Sequence, residues 1–140
     1  MSKALIKLFI NLHTFFYKFT GGRFGSVMGK NKILLLTTKG RKSGREFTTP
    51  LVYMDHEDGY LLIASNGGNT NHPDWYYNLK NDPLVKIQIK DQIQTVRAAI
   101  LDERNRAPIW KRIVAEAPQY GEYEGKTERL IPVVWLRRGD

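Results

Sequence analysis

A chain of 140 residues with 41% apolar side chains has the size and composition of one domain with its own core, and too few residues for two. It has no cysteine, which excludes disulfides, thiolate metal sites and a cysteine nucleophile, and its three histidines (His13, His56, His72) lack the spacing of a metal-binding pair, so no metal ligand is assigned. The formal net charge of +8 calls for an anionic partner such as a polyanionic cofactor, acidic lipid or nucleic acid; the plain alternative is a basic surface without one.

Residues 3–19 carry Leu5, Leu8, Phe9, Leu12, Phe15, Phe16 and Phe19 at three- and four-residue steps, with Lys3, Lys7, Asn11, Thr14 and Lys18 on the opposite face. This is the period of an amphipathic helix, ended by Gly21-Gly22. The lysines interrupt it too often for a membrane span, and no cleavage site marks a secretory leader. Either the helix packs on the rest of the domain, or it lies in the interface of an acidic membrane with its lysines snorkelling. Strands follow over 33–38 and 47–54, the second carrying Pro50, which suits a strand start or an edge. Asp58-Gly59 turns into a strand over 60–64, and Pro73 opens a helix that Asn81-Asp82-Pro83 closes. In 84–90, Val85, Ile87 and Ile89 alternate with Lys86, Gln88 and Lys90; Asp91-Gln92 then turns into 93–100. A helix over 102–116 buries Ile109, Trp110, Ile113 and Val114, with Pro108 expected to mark its true start, and 131–136 forms the last strand. Antiparallel hairpins with few helices predict a mainly β fold with flanking helices, a small barrel over 23–140 preceded by a helical segment over 1–22.

Three segments carry residue types suited to chemistry. Thr37-Thr38-Lys39-Gly40-Arg41-Lys42-Ser43-Gly44-Arg45 joins two glycines, which let the backbone turn and present amide hydrogens, to a cluster of cations, with the hydroxyls of Ser43, Thr48 and Thr49 close by. It suits an anion such as phosphate, although it is neither a Walker loop nor Gly-x-Gly-x-x-Gly, and a solvated basic hairpin would read the same. Ala64-Ser65-Asn66-Gly67-Gly68 leads through His72-Pro73-Asp74-Trp75-Tyr76-Tyr77-Asn78 into a helix N-terminus, where amides and a positive dipole end meet carbonyl or anionic groups. Trp75 and Tyr76 fit the wall of a flat ring or ordinary core packing. In Pro118-Gln119-Tyr120-Gly121-Glu122-Tyr123 the two tyrosines share a face if the segment is helical, to position or protonate a substrate or to cover the barrel's end.

In this order and spacing the segments resemble the deazaflavin-dependent nitroreductase family. The matching residues are Gly40-Arg41-Lys42-Ser43-Gly44-Arg45, Thr48-Thr49-Pro50-Leu51, Ala64-Ser65-Asn66-Gly67-Gly68, His72-Pro73-x-Trp75-Tyr76-x-Asn78-Leu79, Tyr120-x-x-Tyr123 and Arg129-x-Ile131-Pro132. The resemblance implies a split β-barrel of the flavin-reductase type that binds coenzyme F420, an 8-hydroxy-5-deazaflavin. The protein would be an oxidoreductase whose reduced cofactor passes a hydride to a quinone or nitroaromatic acceptor. Carried over by position, Arg41, Lys42 and Ser43 hold the cofactor's phosphate and acidic tail, and Thr48, Thr49, Pro50, Leu51 and Val52 line its groove. Ile63, Ala64, Ser65 and Asn66 lie along the ring, Asp74, Trp75, Tyr76, Tyr77 and Asn78 close the site, Tyr120 sits over the ring and Tyr123 faces the substrate. Ser65, Tyr120 and Tyr123 are then the catalytic residues. Such a transfer needs no protein nucleophile, only reacting atoms held about 3–3.5 Å apart in a dry pose, so positioning and electrostatics are the protein's share.

Three positions depart from the family pattern. Phe47 replaces a usual arginine, with Arg45 as a substitute, and Val52 and Ala117 stand where some members carry tyrosines, which implies a wider, less aromatic acceptor pocket. The same barrel would also accept FMN, and the non-enzymatic alternative is a module for anionic ligands or acidic membrane; no nucleic-acid module is recognisable. The expected state is a cytoplasmic monomer, with peripheral contact to the inner face of an anionic membrane through its first helix.

Overall fold

A computed structural model describes residues 2–23, 25–28 and 31–138; the other positions within the expected segments 1–22 and 23–140 lie outside the described residues. The chain runs α1 (Lys3–Phe19), β1 (Val27–Met28), β2 (Asn31–Lys39), β3 (Glu46–His56), β4 (Gly59–Ile63), a 3-10 turn (Asn66–Gly68), α2 (Asp74–Asn81), β5 (Leu84–Ile89), β6 (Gln92–Ile100), α3 (Glu103–Glu116), α4 (Gln119–Gly125) and β7 (Val133–Arg138). All pairings are antiparallel, in the order β1-β2-β3-β4-β7-β6-β5, and a β2–β5 pairing closes six strands into a barrel.

Side-chain alternation explains which residues fill it. Leu34, Leu36, Leu62, Val85, Ile87, Val96, Val134 and Leu136 form the interior, while the outward-facing Leu61, Ile63 and Val133 pack with Trp110, Ile113 and Tyr120 beneath α3 and α4. The unbroken apolar run of β2 is buried on both faces: Leu34 and Leu36 point inward, and Ile33 and Leu35 pack with Tyr17 of α1. Each such buried aliphatic side chain contributes roughly 1.5–3 kcal/mol before entropy is counted. Among the described residues no helix is long and apolar enough to cross a membrane.

β3 creates the opening in the barrel. Glu46–Tyr53 pair with β2 on one side, but β4 meets β3 only at Met54–His56, so the strand's other edge is unpaired for most of its length. Pro50 stands on that edge, the setting in which a strand tolerates a residue without an N–H.

Two elements differ from expectation. α1 packs on the barrel, but not through its apolar stripe: Leu5, Leu8, Phe9, Leu12, Phe15, Phe16 and Phe19 are all exposed, whereas Tyr17 is buried and Ile10, His13 and Thr14 are half-buried. The reason is the anchor. The Tyr17 hydroxyl accepts from the Lys90 N–H at 2.8 Å and lies 3.0 and 3.1 Å from the carbonyls of Ile33 and Gln88, a fit that only a polar aromatic tip can make. α3 starts at Glu103 rather than at Pro108, because Asp102 caps it by accepting from the Asn105 N–H at 2.8 Å, and buried Arg106, Trp110 and Ile113 hold the helix through the proline.

Candidate functional site

The unpaired edge of β3 is one wall of a trough. The facing wall is the end of β4 with Ile63, Ser65, Asn66 and Gly67, and then Trp75 of α2. Polar-face and flanking residues of α1 (Lys7, Phe9, Ile10, Asn11, His13) close it from above. Two cavities of about 520 and 620 Å³ share Ile10, Thr49 and Trp75 as walls and so lie side by side. The basic turn after β2 and the Gly67 corner thus lie along the same trough.

The first cavity has an aromatic end. Tyr120 and Tyr123 lie on α4 with their rings 5.8 Å apart, edge to face. Burial, with Tyr123 adding to it, pushes the Tyr120 phenol up to about 12, so it keeps its proton. Thr49, Pro50, Leu51, Val52, Ile63, Ser65 and Asn66 complete the lining. Asn66 and Gly67 both adopt left-handed backbone, at φ 49° and 62°, and a Cβ built on Gly67 would meet nothing within 4 Å, so this corner faces open space.

Arg129 holds the corner from behind. Its guanidinium donates to the carbonyls of Asn69 at 2.9 Å, Ala64 at 3.2 Å and Ser65 at 2.7 Å, and lies 2.9 Å from His72 Nδ1. Since Arg129 can only donate, Nδ1 must accept, which keeps His72 neutral. Burial lowers the His72 pKa, and the charges of Arg129 and Lys80 lower it further.

The second cavity is cationic. Gly40 and Arg45 close the turn, with the Gly40 N–H donating to the Arg45 carbonyl at 2.7 Å, and Gly44 takes φ 74°. Arg41 leans onto α2: its Nη1 is 2.9 Å from Asn78 Oδ1, its Nη2 is 3.5 Å from Asp74 Oδ1, and its guanidinium lies 5.1 Å from the Tyr77 ring centroid. Asn78 in turn donates to Thr38 Oγ1 at 3.2 Å, which ties turn, strand and helix together. Lys42 and Ser43 line the rim with Thr48, and the exposed Lys42 ammonium has no partner among the described residues.

The structure brings Arg41, Lys42, Ser43, Thr48, Thr49, Asp74, Trp75 and Asn78 to the cationic cavity, and Pro50, Leu51, Val52, Ile63, Ser65, Asn66, Tyr120 and Tyr123 to the aromatic one. It does not bring Ala64, Tyr76 or Tyr77 to the walls. Ala64 and Tyr76 are buried in the barrel core, and Tyr77 packs beside them, edge-on to His72 and to Tyr76. Phe47 lines the cationic cavity, but Arg45 does not; its guanidinium lies over the Phe47 ring, 5.8 Å from the centroid. Val52, Ala117 and Tyr120 border a side hollow of about 310 Å³. Sequence reasoning missed the α1 contribution, because Lys7 and Asn11 read as a solvated face, and gave Arg129 no role.

A closed antiparallel barrel whose lateral trough joins an aromatic end to a cationic one defines a split-barrel redox protein. The chain matches the family model described as F420H(2)-dependent quinone reductase over residues 9–138, and it belongs to that family, whose members are oxidoreductases using coenzyme F420. It is 39% identical over 134 residues to an F420H(2)-dependent quinone reductase of Mycobacterium tuberculosis, covering 92% of this chain and 89% of that one. Among solved structures it is similar to an F420-H2 dependent reductase (38% identity, TM-score 0.68, covering 79% of this chain and 97% of that one). It is also similar to a structure described as a domain-swapped dimer (35% identity, TM-score 0.71, covering 91% and 94%).

Proposed function

We propose that the trough holds coenzyme F420 with its ring between Pro50–Val52 and Ile63–Asn66 and its phosphate and acidic tail at Arg41, Lys42 and Ser43, and that a quinone-type acceptor meets it beneath Tyr120 and Tyr123. The observation that carries this reading is the adjacency of an aromatic and a cationic cavity that share Ile10, Thr49 and Trp75, which suits a cofactor with a flat ring at one end and several negative charges at the other. The donor set fits as well: Lys42 has a charge to give, and Gly67 leaves space beside the amides of the corner. When bound, the reduced cofactor supplies a hydride.

The chain's own residues do the rest. Phe9 and Ile10 cover the aromatic end and reduce access of water. Ser65 and Asn66 offer hydroxyl and amide donors at that end, and Arg129 fixes the backbone that carries them. Tyr120, protonated at all ordinary pH, is a hydrogen-bond donor to an acceptor oxygen that gains negative charge, with Tyr123 beside it. Nitroaromatic compounds form the second acceptor class proposed here, admitted by the side hollow at Val52 and Ala117. The exposed apolar stripe of α1 between its lysines supports peripheral contact with the inner, cytoplasmic face of an anionic membrane. The barrel segment, 23–140, carries the site and the first segment, 1–22, covers it; against the expected monomer stands the similar solved structure described as a domain-swapped dimer.

The test is a titration of the purified chain with oxidised coenzyme F420, followed by fluorescence quenching. Saturable binding is expected, and Lys42→Ala should weaken it by about 1–3 kcal/mol, with a smaller loss at high salt. A folded protein that shows no saturable binding would overturn the reading.

A further inference from the structure

His13 is a titratable group on the trough wall to which the reading above gives no task. It stands half-buried on α1, with the aromatic cavity on one side and a separate hollow of about 490 Å³ on the other, so it belongs to the wall between them. The chain after α1 fixes its orientation. His13 Nε2 lies 2.8 Å from the Gly25 carbonyl, and an oxygen that can only accept obliges Nε2 to carry a hydrogen in the neutral ring as well as in the charged one. Nδ1 is therefore the nitrogen that gains and loses a proton, and it has no hydrogen-bond partner among the described residues. Gly25, at φ 94°, comes so close that a Cβ there would lie 2.8 Å from both Cδ2 and Nε2. The Cδ2–Nε2 edge of the ring is thus packed against backbone, and the edge carrying Nδ1 faces away from that contact. Tyr120 and Tyr123 of α4 and Arg23 are the other titratable or charged groups bordering the two spaces, with Tyr17 one turn along α1; among the described residues no carboxylate lines either space.

We propose that His13 is the proton donor to the reduced acceptor, delivering from Nδ1 the one proton that hydride transfer does not supply. The inference rests on the trough being the reaction site, as argued above. A quinone that accepts a hydride gains two electrons and one proton, and the cofactor is oxidised by the same two electrons. One new O–H bond forms, and the other oxygen is left as an oxyanion. That oxyanion takes a proton as the His13 Nδ1–H bond breaks, the product is a neutral hydroquinone, and the neutral imidazole keeps its Nε2–H on the Gly25 carbonyl. Water recharges the ring once the product has left. The tyrosines can hold the oxygen but are poor sources of this proton. A phenol gains nothing by passing its proton to another phenolic oxygen, and burial pushes the Tyr120 phenol up to about 12, which makes that transfer about a hundredfold uphill from the ordinary value of about 10. Imidazolium is the side chain that parts with its proton near neutrality, so from it the transfer runs downhill. A carbonyl that orients the ring and fixes its tautomer is the support such a donor needs.

The experiment uses the full chain with reduced cofactor and a water-soluble naphthoquinone, and compares it with His13→Gln, whose amide can still donate to the Gly25 carbonyl but cannot pass on a proton. The substitution should lower kcat about a hundredfold while KM and cofactor affinity change little. In the unaltered chain kcat should fall as pH rises and the imidazolium is lost, and in the variant that slope should disappear. Equal kcat in the two forms overturns the inference, as does a slope that is absent from the unaltered chain or survives in the variant; in the last case His13 merely holds the Gly25 backbone in place. Two readings need no turnover. Nitrogen NMR of the resting chain should find the hydrogen of the neutral His13 ring on Nε2, and a hydrogen on Nδ1 instead overturns the inference. With oxidised cofactor bound, the anion of a 2-hydroxy-1,4-naphthoquinone stands in for the oxyanion; calorimetry should show its affinity fall with rising pH in the unaltered chain and not in the variant, and the same pH response in both forms tells against the proposal. Cofactor affinity is measured on the same samples. If the cofactor binds and His13 fails these tests, this inference falls alone, whereas a chain that binds no cofactor takes the reading beneath it down as well.

Discussion

Arg129 directs its hydrogen bonds to three carbonyls and one imidazole around a single corner of the chain. The carbonyls of Ala64 and Ser65 would lose a charged donor if it were removed, and such bonds are worth more than neutral ones. Arg129→Gln is expected to lower stability by about 2–4 kcal/mol in urea unfolding and to weaken cofactor binding as the corner relaxes. Arg129→Lys should recover only part of either, since one ammonium cannot reproduce the planar fork. The partner His72 makes a pH prediction. Its pKa is lowered from 6.5 by burial first and by Arg129 second, so below 6.5 the unfolded chain takes up a proton that the folded one resists. The stabilisation is therefore complete above 6.5 and is lost as pH falls through the lower folded value. Unfolding midpoints measured from about pH 7 down to about pH 5 should decline in the unaltered chain and decline less in His72→Gln.

At the scale of elements, the junction of α1 with the barrel is the most exacting contact. Gly22 sits at φ 83° with its α-carbon so close to the β5–β6 turn that a Cβ would lie 2.1 Å from Lys90 Cα. Gly22→Ala should cost about 3 kcal/mol through strain and displacement, and limited proteolysis should then cut between α1 and β2 before the barrel. This contact also shows why some of the molecule was legible beforehand and some was not. The alternation of Val85, Ile87 and Ile89 is a local signal, and the strand lies where it points, with all three facing the core. The strand expected over 33–38 falls within β2, and its apolar run 33–36 is buried on both faces. The facing of α1 was not legible, because its largest apolar stripe points outward and the deciding contacts, from Tyr17 to Ile33, Gln88 and Lys90, span long stretches of sequence. The site divides in the same way. The basic turn and the glycine corner announce themselves by composition, whereas the cover supplied by α1 and the grip of Arg129 on residues 64–72 exist only once the chain has closed on itself.

For the molecule as a whole, the net charge of +8 and the exposed stripe of α1 act together. Anionic vesicles should co-sediment the protein at low salt, and raising the ionic strength past the physiological range should release much of it, since exposed charges are screened over about 8 Å there. Leu8→Gln/Phe19→Gln should reduce the fraction bound while leaving the cofactor titration unchanged. If both forms sediment equally, the stripe has no part in membrane contact.

The gap that gives β3 its trough also leaves backbone from Phe47 to Tyr53 with amides and carbonyls that no neighbouring strand takes up. In the intact chain α1 overhangs this rim and Pro50 breaks its regular spacing. A shortened protein beginning after Gly22 would carry the same rim uncovered, and its natural fate is to recruit a strand from another molecule. Shortening the chain to improve its solubility would therefore exchange a greasy helix for an open selvedge, and oligomers of such a fragment would report on the truncation rather than on the native protein.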